Sequence, residues 1–239
     1  ASDPSRTLSW TLGNSLKYAS DLTYDVQLAG EVRTDSAGNP RPLAVDTSFT
    51  AFRNATYAEA AVRATDRIRI TGGLRADWYD FVDDGFRLSP RLGATWQVGA
   101  ATSLRGSLGR YVQPPSYIWL IGDPLNPETL TPIVSDQATL GIERLLRPDL
   151  RLQLEGYYKR YEDYPARVFR PQAVLAPSGF EDATNDIPFG LEPLLSDGTG
   201  RSYGAELFLQ KRLSEIPIFG LLSLSLGRAE YASLEGVDR

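Results

Sequence analysis

The sequence predicts an all-β fold, an antiparallel transmembrane β-barrel of which about ten strands are present. Three observations carry that expectation. Apolar and polar residues alternate with period two through almost the whole chain. The alternating segments run to about 12–15 residues, beyond the roughly 9–11 that cross a bilayer at a tilt of about 45°. Short turns alternate with longer, proline-rich connections, the layout of a membrane barrel with turns at one rim and loops at the other.

The elements follow in order. Segment 7–20 is the weakest, because Gly13-Asn14 interrupts it. After Ser20-Asp21, segment 23–35 alternates Tyr24, Val26, Leu28 and Val32 with Asp25, Gln27, Glu31 and Arg33. Segment 51–65 leads through Asp66 into 67–80, where Ile68, Ile70, Leu74 and Trp78 oppose Arg69, Arg75 and Asp77. In 86–99, Phe86, Leu88, Pro90, Leu92, Ala94, Trp96 and Val98 oppose Arg87, Ser89, Arg91, Thr95 and Gln97. The small turn Gly99–Ala101 opens 102–112, with Leu104 and Leu108 against Arg105 and Ser107. Segment 134–146 turns at Arg147-Pro148-Asp149 into 149–163, where Leu150, Leu152, Leu154 and Tyr158 oppose Arg151, Gln153, Glu155 and Lys159. Segment 200–213 alternates Tyr203, Ala205, Leu207 and Leu209 with Gly204, Glu206, Phe208 and Gln210, and a turn at Ser214–Pro217 leads into 218–232. Pro90 has no N–H for a ladder, so it belongs near a strand end, at a bulge or above the membrane.

Alternation alone does not separate a protein core from lipid. Strand length and loop asymmetry assign the apolar face to lipid and the polar face to a lumen. Leu88, Leu92, Trp96, Leu104, Leu108, Leu150, Leu152 and Leu154 then face the bilayer, and Trp78, Tyr79, Phe86, Trp96, Tyr111 and Tyr161 suit an interfacial girdle. The longer connections are 36–50, 81–85, 113–133 and 164–199. Of these, 113–133 and 164–199 are expected to be extracellular and mobile. Short turns at both ends of a ten-strand series would leave both chain ends on that side.

Composition narrows the function. The 239 residues are 42% hydrophobic and 23% charged, which excludes disorder. No run of about 18 apolar residues makes a transmembrane helix. A net charge of −5 and a pI near 4.9 argue against nucleic acid. Cysteine and histidine are absent, which removes disulfides, the commonest metal ligand and the commonest general base. A Ser-His-Asp triad is impossible. Asp83-Asp84 and Glu162-Asp163 read as solvated turn charges. Asp123, Asn126 and Glu128 carry oxygens of the kind calcium takes, but the prolines there equally describe a rigid loop. The chain reads as no enzyme, with no cofactor and no metal site.

Arg69, Arg75, Arg91 and Arg105 share the polar parity of three consecutive strands, with Glu143 and Glu155 on the next two. Arginine recognises carboxylates and phosphates bidentately, so Arg75, Arg91 and Arg105 are candidate contacts for an anionic ligand; the competing reading has them binding wall carboxylates. Tyr111, Tyr117 and Trp119 are candidate contacts at the mouth, or else a packing cluster.

The run from Ile70 to Arg160 resembles the barrel of TonB-dependent outer-membrane receptors. The matching pieces are GLRADWYD (73–80), LSPRLGATWQV (88–98), SLRGSLGRYVQPPS (103–116), NPETLTP (126–132), SDQATLGIE (135–143) and LRLQLEGYYKRYEDY (150–164), with GAELFLQKRL (204–213) fitting a later strand that often carries a G-x-E element. The resemblance implies a bacterial outer-membrane location and energy-coupled uptake of a scarce bulky solute, such as a siderophore–iron complex, a cobalamin or an oligosaccharide. The implied partners are outer-membrane lipid, a small-molecule ligand, and the inner-membrane TonB system acting through a plug domain. That plug, the energy-coupling box and a closing strand with a terminal aromatic residue are not found here, and family barrels have 22 strands. Residues 1–239 therefore read as a partial barrel domain without its plug. Two alternatives stand beside this: a passive outer-membrane channel, and a soluble β-rich binding or structural domain.

Overall fold

The computed structural model describes the backbone of residues 8–34, 40–168 and 193–232, and side chains at 8–23, 48–168 and 193–232. Nine strands form one antiparallel sheet in sequence order: β1 (Leu8–Thr34), β2 (Pro40–Thr65), β3 (Ile68–Tyr79), β4 (Phe86–Gly99), β5 (Thr102–Gln113), β6 (Ile133–Arg147), β7 (Leu150–Arg167), β8 (Leu194–Lys211) and β9 (Gly220–Ala232). Two short helices, α1 (Tyr117–Gly122) and α2 (Asn126–Thr129), lie between β5 and β6. The sheet is open at β1 and β9.

The strand count is nine rather than ten because the first two segments are one strand. Ser20-Asp21 is a bulge, with Asp21 at φ 52° and a register shift between Ala19 and Leu22. Aspartate tolerates the left-handed region, so the chain kinks there and continues. This corrects the expected placement of the ends. Leu8 pairs with Val62 near the β2–β3 turn, whereas Ala232 pairs with Thr199 toward the loops, so β1 starts at the short-turn rim and β9 finishes at the other.

The weak first segment also has a local cause. The Tyr57 ring lies over Gly13, 2.3 Å from where a Cβ at residue 13 would stand, so any larger residue there would have to displace the ring. Asn14 Nδ2 donates to Thr56 Oγ1 at 2.7 Å and Asn54 Oδ1 at 3.2 Å, so the polar break on an apolar face satisfies itself. Pro90 sits inside β4, paired with Leu74 of β3, but pairing of β4 with β5 begins only at Arg91–Gly109. The ladder stops where the donor is missing.

Register fixes two faces. Ile68–Trp96–Leu104–Ile142–Leu154–Leu207–Leu224 is one apolar row; Gly72–Leu92–Leu108–Ala138–Tyr158–Tyr203 is another. From Trp78–Phe86 down to Ile68–Trp96 is ten residue steps. At about 3.3 Å per residue and a tilt of about 45°, the apolar band is about 23 Å tall, close to the roughly 25 Å of an outer-membrane barrel. No second layer covers this face among the described residues, and Leu12, Leu92, Leu108, Leu140 and Leu226 are exposed along it. A soluble sandwich would bury them.

The packed core lies at the loop rim. Tyr79, Val82, Trp119, Leu120, Leu130, Ile133, Tyr164 and Leu194 form one buried cluster. Thus 114–132 is a packed loop, contrary to the mobility its prolines suggest. Of 164–199, residues 169–192 lie outside the described residues.

Candidate functional site

The lumen face carries the candidate arginines, and the ladder decides which meet. Arg69 opposes Thr95, and Thr95 opposes Arg105, so Arg69 and Arg105 share a row two strands apart. With Glu155 they line a depression of about 230 Å³. Arg105 donates to Glu143 at 2.5 Å, and Arg151 reaches the same carboxylate at 2.9 Å. Arg75 grips Asp77 through Nε and Nη2 at 2.8–3.0 Å. The Asp77 side chain is only 5% exposed, so that guanidinium is what allows a carboxylate to be buried there. Arg91 lies 4.4 Å over the Tyr111 ring, a cation–π contact. The four arginines are therefore distributed along the wall rather than gathered into one patch. Arg75 and Arg105 are occupied by wall carboxylates, and Arg91 and Tyr111 present a cation and a ring together. Lys159, 5.3 Å from the Tyr157 ring centroid, repeats that arrangement on β7. Gly204 of the G-x-E element is needed beneath it, since a Cβ there would stand 2.7 Å from the Tyr157 hydroxyl and 2.4 Å from the Leu226 carbonyl.

Above the lumen wall, the loops are stapled together. Tyr117 packs edge-on against Phe81 and Phe49, with centroids 5.1 and 5.3 Å apart. Trp119 is 7% exposed, inside the loop core, so its role in place is support behind Tyr117. Asn126, fully buried, donates from Nδ2 to the Trp119 carbonyl at 2.6 Å and accepts from the Leu194 amide at 2.8 Å. Its amide thus joins the β5–β6 loop to β8, and no cluster of acidic residues that could hold a metal occurs among the described residues. Thr129 Oγ1 donates to the Leu194 carbonyl at 2.7 Å, and the Asp83 amide donates to the Pro127 carbonyl at 3.3 Å.

Composition alone did not reveal the aromatic cluster of Tyr161, Tyr164 and Tyr231, whose ring centroids lie 5.3–6.4 Å apart at the loop end. Burial beside two other phenols pushes the Tyr164 hydroxyl up to about 12. Asp163 beside it adopts φ 57°, and burial raises its carboxyl, with Arg87 3.8 Å away as a partial counterweight. Register also sets Arg110, Arg160, Arg201 and Arg228 on the outward face, a placement that composition does not reveal.

A polar lumen wall, an apolar outer band of bilayer height and loops packed over one rim define part of an outer-membrane β-barrel of the receptor type. The chain belongs to the TonB-dependent receptor-like β-barrel family, which it matches over residues 1–238. The family is one of transport receptors, and the location is the outer membrane of Gram-negative bacteria. Its fold resembles the siderophore receptor PirA from Pseudomonas aeruginosa (TM-score 0.56, 17% identity, 94% of this chain and 41% of that one). It also resembles PirA from Acinetobacter baumannii (0.59, 17%, 93% and 34%) and the FrpB iron transporter from Neisseria meningitidis (0.56, 16%, 77% and 27%). The chain thus spans well under half the length of each. No curated protein matches it by sequence.

Proposed function

We propose that this chain is a plug-free segment of the barrel wall of an active transporter, and that the complete protein takes up an iron–siderophore complex or a similarly bulky, scarce solute. The observation that carries the reading is the Arg91–Tyr111 pair on the lumen wall below the loop core. A guanidinium beside a ring offers charge and a stacking face to an anionic, partly aromatic ligand. A siderophore receptor and an iron transporter of similar fold support the substrate class. Arg105 and Tyr117 extend the surface along the wall and to the mouth, Arg75 keeps Asp77 in place, and Trp119 holds the loop that presents Tyr117. The TonB system would act through the plug supplied by the rest of the receptor.

The test is uptake by the complete receptor in an iron-starved deletion strain, with a panel of labelled ferric siderophores. Arg91→Gln with Tyr111→Leu is expected to lower uptake per folded receptor for at least one of them. Energy-independent uptake that obeys only a size limit would favour a passive channel and overturn the reading.

A further inference from the structure

The apolar outer band does not run level across the sheet. On β4 it reaches from Phe86 down ten residues to Trp96, which shares a row with Leu207 and Leu224. On β9 the uppermost apolar residue of the band is Leu226, two residues above that row, and Arg228 follows. On β8 it is Tyr203, four residues above, and Arg201 follows. The upper edge therefore drops eight residues along the strands between β4 and β9, five strands away. That is about 26 Å along the strands against about 24 Å across them, a tilt near 45°, as a barrel wall requires. The same drift lifts Arg201 and Arg228 out of the bilayer, although they share the parity of the leucines below them. A band of equal height on β9 extends ten residues below Leu226, but β9 begins at Gly220, six residues down. The strand stops about 9 Å short of the lower edge. β8, ending at Lys211, stops about 5 Å short.

The β8–β9 turn hangs from these two ends. The other short turns are the pairs Asp66-Arg67, Ala100-Ala101 and Pro148-Asp149, whereas this one runs over 212–219 and contains Leu213, Ile216, Pro217, Ile218 and Phe219. Its large apolar side chains are exposed, Phe219 to 75%. A contiguous apolar patch of this kind marks an interaction surface. We infer that the β8–β9 turn is immersed in the periplasmic leaflet of the outer membrane, at the boundary of acyl chains and headgroups, with Leu213, Ile218 and Phe219 against the chains. The occupant is lipid because the patch continues the face of Leu222 and Leu224 without a break. The polar groups of the turn agree with that placement. Lys211 has outward parity, yet its ammonium is not offered to lipid. It bonds the Asp149 carboxylate, the Arg212 carbonyl at 3.0 Å and the Ser214 hydroxyl at 3.0 Å, which uses all three donors. The Arg212 amide donates to the Asp149 carbonyl at 2.8 Å, the Ile218 amide donates to the Ile216 carbonyl at 2.8 Å, and Pro217 has no amide to satisfy. Each withdraws a backbone donor from lipid, where an unsatisfied one is costly. Arg212 and Glu215, both exposed, are long enough to reach headgroups and water. The inference rests on the outer-membrane location and not on the solute carried.

The experiment uses the complete receptor in phosphatidylethanolamine–phosphatidylglycerol vesicles. This chain has no cysteine, so one nitroxide label is attached at a time through Phe219→Cys, Leu222→Cys or Asp66→Cys, with any cysteine elsewhere in the receptor replaced by serine. Leu222 on the wall is the lipid reference, and Asp66 in the β2–β3 turn is the water reference. Spin relaxation reads collisions with oxygen, which concentrates in lipid, and with a nickel chelate, which stays in water. At residue 219 oxygen is expected to win, as at residue 222, with the ratio reversed at residue 66. Ile218→Cys replaces Phe219→Cys should that label disturb folding, judged by heat-modifiable gel migration. Nickel collisions at residue 219 that match those at residue 66 would place the turn in the periplasm and overturn the inference. Few collisions with either reagent would show the turn covered by protein, and would overturn it as well.

Discussion

Leu92 and Gly93 are consecutive residues that face different solvents, and a lysine at each measures the difference. Leu92 is 53% exposed and sits between Gly72 and Leu108 in the outer band. It lies four residue steps from Trp96 and six from Phe86, which places it about 9 Å above the lower girdle and about 14 Å below the upper one. That is close to the bilayer midplane, where a lysine costs about 2–4 kcal/mol. Gly93 points into the lumen, and a Cβ there meets only the Gly106 carbonyl, at 3.8 Å. A lysine at that position stays hydrated, and replacing a strand glycine recovers some backbone stability. Leu92→Lys is therefore expected to lose about 2–4 kcal/mol and Gly93→Lys less than about 1 kcal/mol. The assay is reversible guanidinium unfolding of the complete receptor in lipid vesicles, read by tryptophan fluorescence. Equal losses, or a larger loss at Gly93, would refute the assignment of faces.

Removing Arg75 as Arg75→Gln strands the buried Asp77 carboxylate and is expected to cost about 3 kcal/mol, while the double variant with Asp77→Asn recovers most of it; a double-mutant unfolding cycle checks this. Lys211, then the Ser214 hydroxyl, hold the Asp149 carboxyl down to about 2. A depressed value means its stabilisation is complete above the ordinary value of 3.8 and fades as pH falls through about 2, so Asp149→Asn should flatten that acid limb, followed by the stability of the β6–β7 and β8–β9 turns. Asp163 is the opposite case: burial raises its carboxyl, so the fold gains stability as pH falls through the raised value. Asp163→Asn keeps a residue that tolerates φ 57° and should stabilise at neutral pH, whereas Asp163→Ala, strained there, should not; thermal unfolding against pH separates them.

Strand identity was legible where the two faces differ in every residue, as in β3, β4 and β7. It failed at Ser20-Asp21, since a single residue with positive φ bends a strand as readily as it begins a turn, and only pairing across to β2 tells these apart. The candidate site was partly legible. Parity put Arg75, Arg91 and Arg105 on the lumen face, but a ladder contact depends on register, which period two does not specify. That is why Arg105 meets Glu143 and Arg91 meets Tyr111 instead of each other. In β5, the sequence Leu104, Leu108, Arg110 reads as an apolar face ending in solvent; only the row Arg110–Asp136–Arg160 shows that the charge continues on the same face. Prolines suggested a mobile loop at 113–133, yet Asn126 and Leu130 are fully buried, because Pro124, Pro127 and Pro132 stiffen a segment that then packs.

Stability in this chain is divided between two places. Among the described residues the wall keeps no core of its own: its apolar side chains are exposed along the outer band, so their burial comes from lipid. The loops have a core, and Leu130 is fully buried at its centre among Trp119, Leu120, Ile133 and Leu194. A cavity there should cost about 2–5 kcal/mol locally. Leu130→Ala and Leu92→Lys share no partner, so their effects should be additive within about 0.5 kcal/mol. They should also appear in different readouts. Leu130→Ala frees the β5–β6 loop, seen as new cleavage within 114–132 by protease added to intact cells, with the vesicle unfolding midpoint little changed. Leu92→Lys shifts that midpoint and leaves the loop protected. If instead Leu130→Ala lowers the unfolding midpoint as much as Leu92→Lys does, the loop core and the wall form one cooperative unit, and the mouth would transmit ligand binding to the barrel rather than close over it.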